Sequence, residues 1–316
     1  MSERVSIIIP AYRPPIPALE RVLDGIRKQS AHAQIAEVLL VDNNSPERYA
    51  EALDAGGLPG WRVVVEAQLG LTPNRLRGFR EAAPDSGWIL LVDQDNVLAP
   101  DYLERGLELG RTHPWIGALG GSSLPEYEAG VPPFADRAPS ILSLRQVRAA
   151  CWSNDPAHGH STPWGAGMLL RREVVDAYVG KLSQDARRAF LDHRGNELLY
   201  GADNDLANSA AGLGLGKGVF PELTLTHLIP PGRCSWDYFA RSVEGRILSG
   251  LVMDFLENGA LPRRPSLRAR IRTLVQLMSR DPFVRLTARA HSRARRRAAE
   301  LLRDGGGRNL LNPHDA

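Results

Sequence analysis

Asp93 and Asp95 stand two residues apart in WILLVDQDNVLAPDYL, directly after the apolar run Ile89-Leu90-Leu91-Val92. A run this short, closed at once by polar breakers, reads as a buried strand. The carboxyl ends of such strands are where open α/β sheets bind ligands. Two carboxylates at a strand end can share a hard cation, and that cation can carry phosphate oxygens. The alternative is a polar turn capping the helix that begins near Pro100-Asp101. Asp-x-Asp alone does not decide between them, so the decision falls to its context.

Other polar residues close other apolar runs. Tyr12 follows Val5–Ile9 and Pro10, Asp42-Asn43 follows Glu37–Val41, and Asp203 and Asp205 open a later segment at Gly201. If the first, second and fourth strands are parallel neighbours, the first three clusters line one edge. Such a cleft can hold an aromatic base against Tyr12 and hydrogen-bond it through Asp42 or Asn43. A cation at Asp95 would then hold the diphosphate. Singly, these residues could be a surface aromatic and helix N-caps. Their coincidence at one edge points to a nucleotide site.

The elements that must position them alternate. Strands are expected at Val5–Ile9, Glu37–Val41, Trp61–Val65 and Ile89–Val92. Helices are expected after Pro15 (Leu19, Val22, Leu23 and Ile26 at helical spacing), after Asp42–Ser45 with Pro46 near the start, and over Asn74–Ala83. Alternation with short loops predicts a mostly parallel sheet covered on both faces, with right-handed crossovers. Residues 122–165 read as a loop-dominated insertion. Beyond it come a strand at Ala166–Leu170, a helix at Glu173–Tyr178, and a helix from Gly201 to the glycines Gly212, Gly214 and Gly216. Strands are expected at Gly218–Phe220 and Leu223–His227. A long amphipathic helix from Trp236 would bury Trp236, Phe239, Val243, Ile247, Leu251 and Phe255.

At 316 residues, 43% hydrophobic and 24% charged, the composition is that of a globular chain with one large domain and an appendage, or two domains. Cys151 and Cys234 form neither a ligand cluster nor a disulfide framework, so a reducing, cytoplasmic setting is expected. The N-terminal MSERVSIIIPAYRPP lacks a signal-peptide pattern, and no apolar run is of membrane-spanning length. The net charge of +3 is unevenly spread: residues 262–316 hold 14 Arg against Asp281, Glu300, Asp304 and Asp315. The rest of the chain is therefore net acidic. Pro282 divides the basic segment into two helices. In the first, Leu267, Ile271, Leu274 and Met278 recur at helical spacing beside arginines. That composition suits either an interfacial helix on the inner face of an anionic membrane or a helix packed on the acidic body. Phe283 is the one aromatic in the two helices, which argues against nucleic acid.

In order, VSIIIPAYR, VLLVDNNSPE, GLTPNRLRGFREA, ILLVDQDNVLAPDYL, PWGAGMLLRREV and GADNDLANSAAGLGLG resemble the family 2 glycosyltransferases, which have the nucleotide-sugar-binding α/β fold called GT-A. The resemblance runs from about Val5 to Arg233. It implies a glycosyltransferase domain over 1–233, with a nucleotide-binding half (1–121) and an acceptor and catalytic half (122–233). A helical extension (234–303) and a flexible tail (304–316) would follow.

The resemblance also implies roles. Pro10, Ala11 and Tyr12 would line the nucleobase, Tyr12 stacking on it, and Asp42 and Asn43 would read its edge. Arg75 would approach the nucleotide, although Asn74 and Leu76 beside it depart from the family's Ala-Arg-Asn. Asp93 would face the ribose and the metal's waters, and Gln94 takes a place that is often small or acidic. Asp95 and His227 would ligate Mn²⁺ or Mg²⁺, with Asp93 a further candidate. Asp203 would be the base of an inverting displacement, taking the acceptor hydroxyl's proton. The family's preceding Glu is Ala202 here. Trp164 and Gly165 would lie on the acceptor side with Asp205, which is expected to cap or anchor its helix. The implied activity is metal-dependent, inverting transfer from a nucleotide-diphosphate sugar to an acceptor hydroxyl in glycan, polysaccharide or glycolipid synthesis. Ala202 and Asn43 motivate a rival, a nucleotide-sugar-binding protein with impaired catalysis. A nicotinamide-dependent dehydrogenase is disfavoured, because Pro10–Pro17 stands where Gly-x-Gly-x-x-Gly would be needed.

Overall fold

A computed structural model of the chain describes residues 3–192, 199–262, 265–303 and 310. The first half alternates as its pattern predicts: β1 (Val5–Ala11), α1 (Ile16–Arg27), β2 (Ile35–Asp42), β3 (Arg62–Val65), α2 (Leu71–Glu81), β4 (Trp88–Leu91). All seven residues of β1 are buried, which suits a β-branched run covered on both faces. Pro17 sits in the first turn of α1, where a missing N–H costs nothing, and Leu19, Val22, Leu23 and Ile26 form its buried stripe. Then come β5 (Asn96–Leu98), α3 (Tyr102–Thr112), β6 (Ile116–Tyr127), β7 (Cys151–Ser153), β8 (Leu169–Arg171), α4 (Arg172–Gln184), α5 (Ala202–Asn208) and β9 (Gly216–Ile229).

Among the described residues the strands form one nine-stranded sheet, ordered β3-β2-β1-β4-β8-β6-β9-β5, with β7 also paired to β9. β1 to β4 are parallel, and β8 is antiparallel to both β4 and β6. Because β9 is parallel to β6, those two run with β1–β4, and β5, β7 and β8 run against them. The architecture is thus a mixed α/β fold whose central sheet is mostly parallel and flanked by helices.

Several local expectations give way to long-range pairing. Asp42–Ser45 opens no α-helix; the segment reaches only a 3₁₀ turn at Ala50–Ala52. Asn44 takes a positive φ of 55°, and the Asp42 carboxylate accepts the Ser45 N–H at 3.1 Å, which turns the chain instead. β5 had no sequence signal, because only its antiparallel partner β9 makes it a strand. Residues 122–165 are less irregular than expected, since β6 runs on to Tyr127 against β9 and β7 lies within the segment. The two strands expected at Gly218–His227 are one: β9 absorbs Pro221 at a bulge, where the β6 register shifts between Gly120 and Ser122. α5 stops at Asn208, short of the glycines.

The chain divides into two compact units, each discontinuous in sequence. The sheet belongs to the unit comprising Met1–Glu128, Ser143–Lys181 and Asp203–Ile229. The other comprises Ala129–Leu142, Leu182–Ala202 and Pro230–Ala316, and holds α6 (Trp236–Asn258), α7 (Leu267–Leu277) and α8 (Pro282–Leu301). α6 is capped by Ser235, whose hydroxyl accepts the Tyr238 N–H. Its buried face differs from the expected one: Phe239, Leu248, Val252 and Phe255 are inside with Ser242, Gly245 and Ser249, whereas Val243, Ile247 and Leu251 are half-buried. α8 packs on α6 and buries Ala288, Ala290, Ala294 and Ala298, of which Ala294 and Ala298 share a core with Leu248, Val252 and Phe255. Phe190, Leu191, Leu199, Leu301, Leu302 and Leu310 complete this core. The expected flexible tail at 304–316 lies outside the described residues, apart from Leu310. Among the described residues, no helix is long and apolar enough to cross a membrane.

The bulge where β9 passes β6 yields a stability prediction. A Cβ on Gly121 would collide with the Leu223 carbonyl oxygen, and backbone cannot yield there without breaking the β6–β9 ladder. Gly121→Ala should lower stability by about 1–3 kcal/mol or more, read from urea unfolding.

Candidate functional site

Parallel pairing puts the carboxyl ends of β1, β2 and β4 at one edge, with Ala11 beside Asp42 and Ile8 beside Leu91. Tyr12, Asn43 and Asp93 leave the sheet there. Tyr12 is 42% exposed at the rim, with the Arg13 guanidinium 5.3 Å from its ring centroid. Its backbone is clamped by Gln94: the Tyr12 N–H donates to Gln94 Oε1 at 2.8 Å, and Gln94 Nε2 donates to the Tyr12 carbonyl at 3.4 Å. Gln94 thus fixes the segment carrying the exposed aromatic.

Asp42 and Asn43 are occupied by the scaffold. Asp42 accepts from Ser45 and from the Tyr49 hydroxyl at 3.1 Å. Burial and the neighbouring Asp42 push the Tyr49 hydroxyl's pKa upward, so it stays a donor. Asn43 is buried and uses both ends of its amide: Nδ2 donates to the carbonyls of Gln68 (2.7 Å) and Glu66 (3.3 Å), and Oδ1 accepts the Gly70 N–H at 2.7 Å. Three bonds hold the loop that leads into α2, leaving the amide little capacity to read a base.

α2 delivers Arg75 to the centre. Its side chain is 3% exposed, and Nη1 donates to Asp203 Oδ1 at 2.5 Å while Nη2 lies 3.7 Å from Asp93 Oδ1. One guanidinium therefore connects the Asp-x-Asp strand end with the first turn of α5. Asp203 Oδ2 also accepts the Gly165 N–H at 2.9 Å. A Cβ on Gly165 would strike both Arg75 and Asp203, so any other residue there would push these two side chains aside. Trp164 is half-buried, with the Arg145 guanidinium 4.3 Å from its ring centroid. Asp205 points away from this cluster in its pairing: it is 1% exposed and binds Lys181 Nζ at 2.5 Å. That arrangement anchors α5 to α4.

The β5–β9 ladder brings a distant histidine to the same edge. Asn96 pairs with His227, and the Leu228 N–H donates to the Asp95 carbonyl at 2.9 Å. His227 Nε2 lies 3.5 Å from Asp95 Oδ2, both side chains being largely buried. Burial pushes the Asp93 carboxyl up to about 6. Arg75 opposes this, Asp95 and Asp203 add to it, and His227 opposes it. Solvent still reaches 32% of that side chain, which limits what burial does.

A carboxylate oxygen facing an imidazole nitrogen is a donor set suited to a borderline divalent cation such as Mn²⁺. Cis ligands about 2.1 Å from an octahedral ion lie roughly 3 Å apart, close to the 3.5 Å between Asp95 and His227. Among the described residues, no group of three or more His, Cys, Asp or Glu side chains is gathered to hold a metal. The pair therefore fits an ion that takes its remaining ligands from phosphate and water.

Of the expected residues, Tyr12, Arg75, Asp93, Asp95, Asp203, Gly165 and His227 reach this edge. Asn43 and Asp205 are turned to structural bonds. Sequence reading missed the Gln94 clamp and the Arg75–Asp203 bridge. Neither has a local signal, because their partners lie 82 and 128 residues away.

The glycosyl transferase family 2 sequence model matches residues 6–178. No curated protein matches the chain. Among solved structures, the chain is similar to the mannosyltransferase PcManGT from Pyrobaculum calidifontis, determined in complex with GDP-Man and Mn2+. That likeness has a TM-score of 0.52 and 20% identity over 99% of this chain and 82% of the other. It is a likeness of fold. S. aureus TarS (residues 1–349) aligns with a TM-score of 0.45 and 15% identity over 96% of this chain and 92% of the other.

Asn43→Ala should cost about 1–3 kcal/mol, since three bonds to the loop are lost together. Hydrogen exchange at Gly70 should accelerate with it. A base-reading role alone would leave both the melt and that exchange rate unchanged.

Proposed function

Because the chain belongs to glycosyl transferase family 2, we propose that it transfers a sugar from a nucleotide-diphosphate donor to an acceptor hydroxyl by metal-dependent inversion. One observation carries this reading: a single buried guanidinium pairs with both Asp93, at the Asp-x-Asp strand end, and Asp203, the candidate base. Arg75 would then hold the donor-side carboxylate and the base at a fixed spacing.

In this reading Tyr12, held by Gln94 with Pro10 and Ala11 behind it, offers its exposed ring to the base. Asp42 lies at the same edge and Asp93 faces the ribose. Asp95 and His227 would hold Mn²⁺ or Mg²⁺, as the PcManGT complex holds Mn2+ with GDP-Man. A cation bound there neutralises charge developing on the leaving diphosphate. Asp203 accepts from Arg75 on Oδ1 and from the Gly165 N–H on Oδ2. As a carboxylate, Asp203 would take the acceptor hydroxyl's proton as that oxygen attacks the anomeric carbon. Arg75 and Gly165 hold that carboxylate in place, and Trp164 offers an aromatic face for an acceptor sugar. The acceptor is a glycan or glycolipid hydroxyl, and 1–233 is the catalytic part.

Incubating the protein with a panel of nucleotide-diphosphate sugars and Mn²⁺, and measuring nucleotide release and sugar transfer, tests the assignment. Nucleotide binding without turnover on any acceptor tested would favour the binding-protein alternative. Asp203→Asn should leave donor affinity near that of the parent and reduce transfer roughly 10²–10⁴-fold. An Asp203→Asn variant that transfers at the parent rate removes the base assignment. Asp95→Ala should abolish the Mn²⁺-dependent part of nucleotide affinity in calorimetry. Equal affinity with and without Mn²⁺ in the parent protein overturns the metal role.

A further inference from the structure

α7 presents its apolar side to solvent. At about 100° per residue, Leu274, Leu267, Met278, Ile271 and Val275 fall on one arc of roughly 100°. Each is more than half exposed, and Met278 reaches 86%. The partly buried residues of α7 are Ala269, Thr273, Gln276 and Leu277, on the opposite side, and none of its residues is fully buried. The helix therefore turns Ala269, Thr273 and Gln276 inward with a single large apolar residue, Leu277, and turns five large apolar residues outward, the reverse of a helix packed on a core. α8, by contrast, packs on α6 and buries Ala294 and Ala298 in a core with Leu248 and Val252. Of the two basic helices, only α7 keeps an apolar face to offer.

The charges flank that face. On the wheel, Arg270 lies on one side of the arc and Arg268 and Arg272 on the other, and α7 contains no acid. A groove of about 1010 Å³ between α7 and α8 continues the surface, lined by Leu267, Ile271 and Leu274 together with Arg270, Arg295 and Arg296. Apolar side chains bordered by long cationic ones that can lift their heads to phosphate are what a helix in a bilayer's headgroup layer requires. A second copy is a poor occupant: a two-fold contact would set this face against itself and bring its arginine rows together.

We propose that α7 is an interfacial anchor that docks the protein on an anionic lipid bilayer. Leu267, Ile271, Leu274, Val275 and Met278 enter the acyl boundary, and Arg268, Arg270 and Arg272 with the groove arginines meet lipid phosphates. The proposal stands independently of the transferase reaction.

The test is co-sedimentation of the full chain with phosphatidylcholine vesicles containing graded phosphatidylglycerol, at low and physiological salt. Binding should rise with anionic content and fall with salt. I271S/L274S/M278S should weaken it at least tenfold, and R268Q/R270Q/R272Q on the order of 10²-fold on anionic vesicles. All six side chains are exposed, so thermal melts of both variants should match the parent. Parent protein remaining in the supernatant on highly anionic vesicles at low salt overturns the proposal. So does equal sedimentation of parent and variants. A dimer seen in ultracentrifugation without lipid, and abolished by I271S/L274S/M278S, would assign the face to a second copy and overturn it as well.

Discussion

A buried guanidinium has to be paired, and the pairing of Arg75 organises the sheet edge around it. Leaving such a charge without partners in the interior costs several kcal/mol, so the partners must arrive whenever the chain folds. Here they are Asp93 and Asp203, delivered by β4 and α5. The same constraint reaches Gly165, whose missing side chain makes room for the contact and whose N–H completes it. The candidate base and the Asp-x-Asp strand end are thus fixed relative to one another by a single side chain on α2.

The second organising element is β9, which at 14 residues pairs with β6, β5 and β7. Its inner portion continues the parallel sheet. Its outer portion pairs with β5 and sets His227 against Asp95. The bulge around Pro221 and Gly121 lets one strand serve both ends, at the expense of a close backbone contact that only glycine tolerates. Positioning residues that bear no charge matter as much here. Gln94 holds the Tyr12 backbone, and Asn43 holds the loop that starts α2. The polar residues at the strand ends therefore divide into those that face outward and those that keep the outward ones in place.

In the helical unit, one basic sequence segment has two physical outcomes. α8 packs on α6 and buries Ala294 and Ala298 in a core with Leu248, Val252 and Phe255. α7 leaves Leu267, Ile271, Leu274 and Val275 more than half exposed, three of them lining the groove it shares with α8, and buries none of its residues fully. Arginine content alone does not separate the two helices; the size and side of the apolar residues do.

The sequence by itself determined the parallel half of the fold. Runs such as Val5–Ile9 and Ile89–Val92, separated by helical periodicity, have one economical arrangement, and parallel pairing then places Tyr12, Asp42 and Asp93 at one edge. It also determined that Asp203 and His227 were candidates, through the order of motifs that resemble family 2 glycosyltransferases. Tertiary structure alone decided which polar residues are spent on the scaffold. Asp42 is taken up by Ser45 and Tyr49, and Asn43 by Glu66, Gln68 and Gly70. Asp203 and Asp205 share the first turn of α5, yet one meets Arg75 and the other Lys181. β5, the extension of β6 and the outward face of α7 were likewise decided by packing. The physical reason is common to all of them: a hydrogen bond or ion pair depends on where a remote segment arrives, and local periodicity carries no record of that.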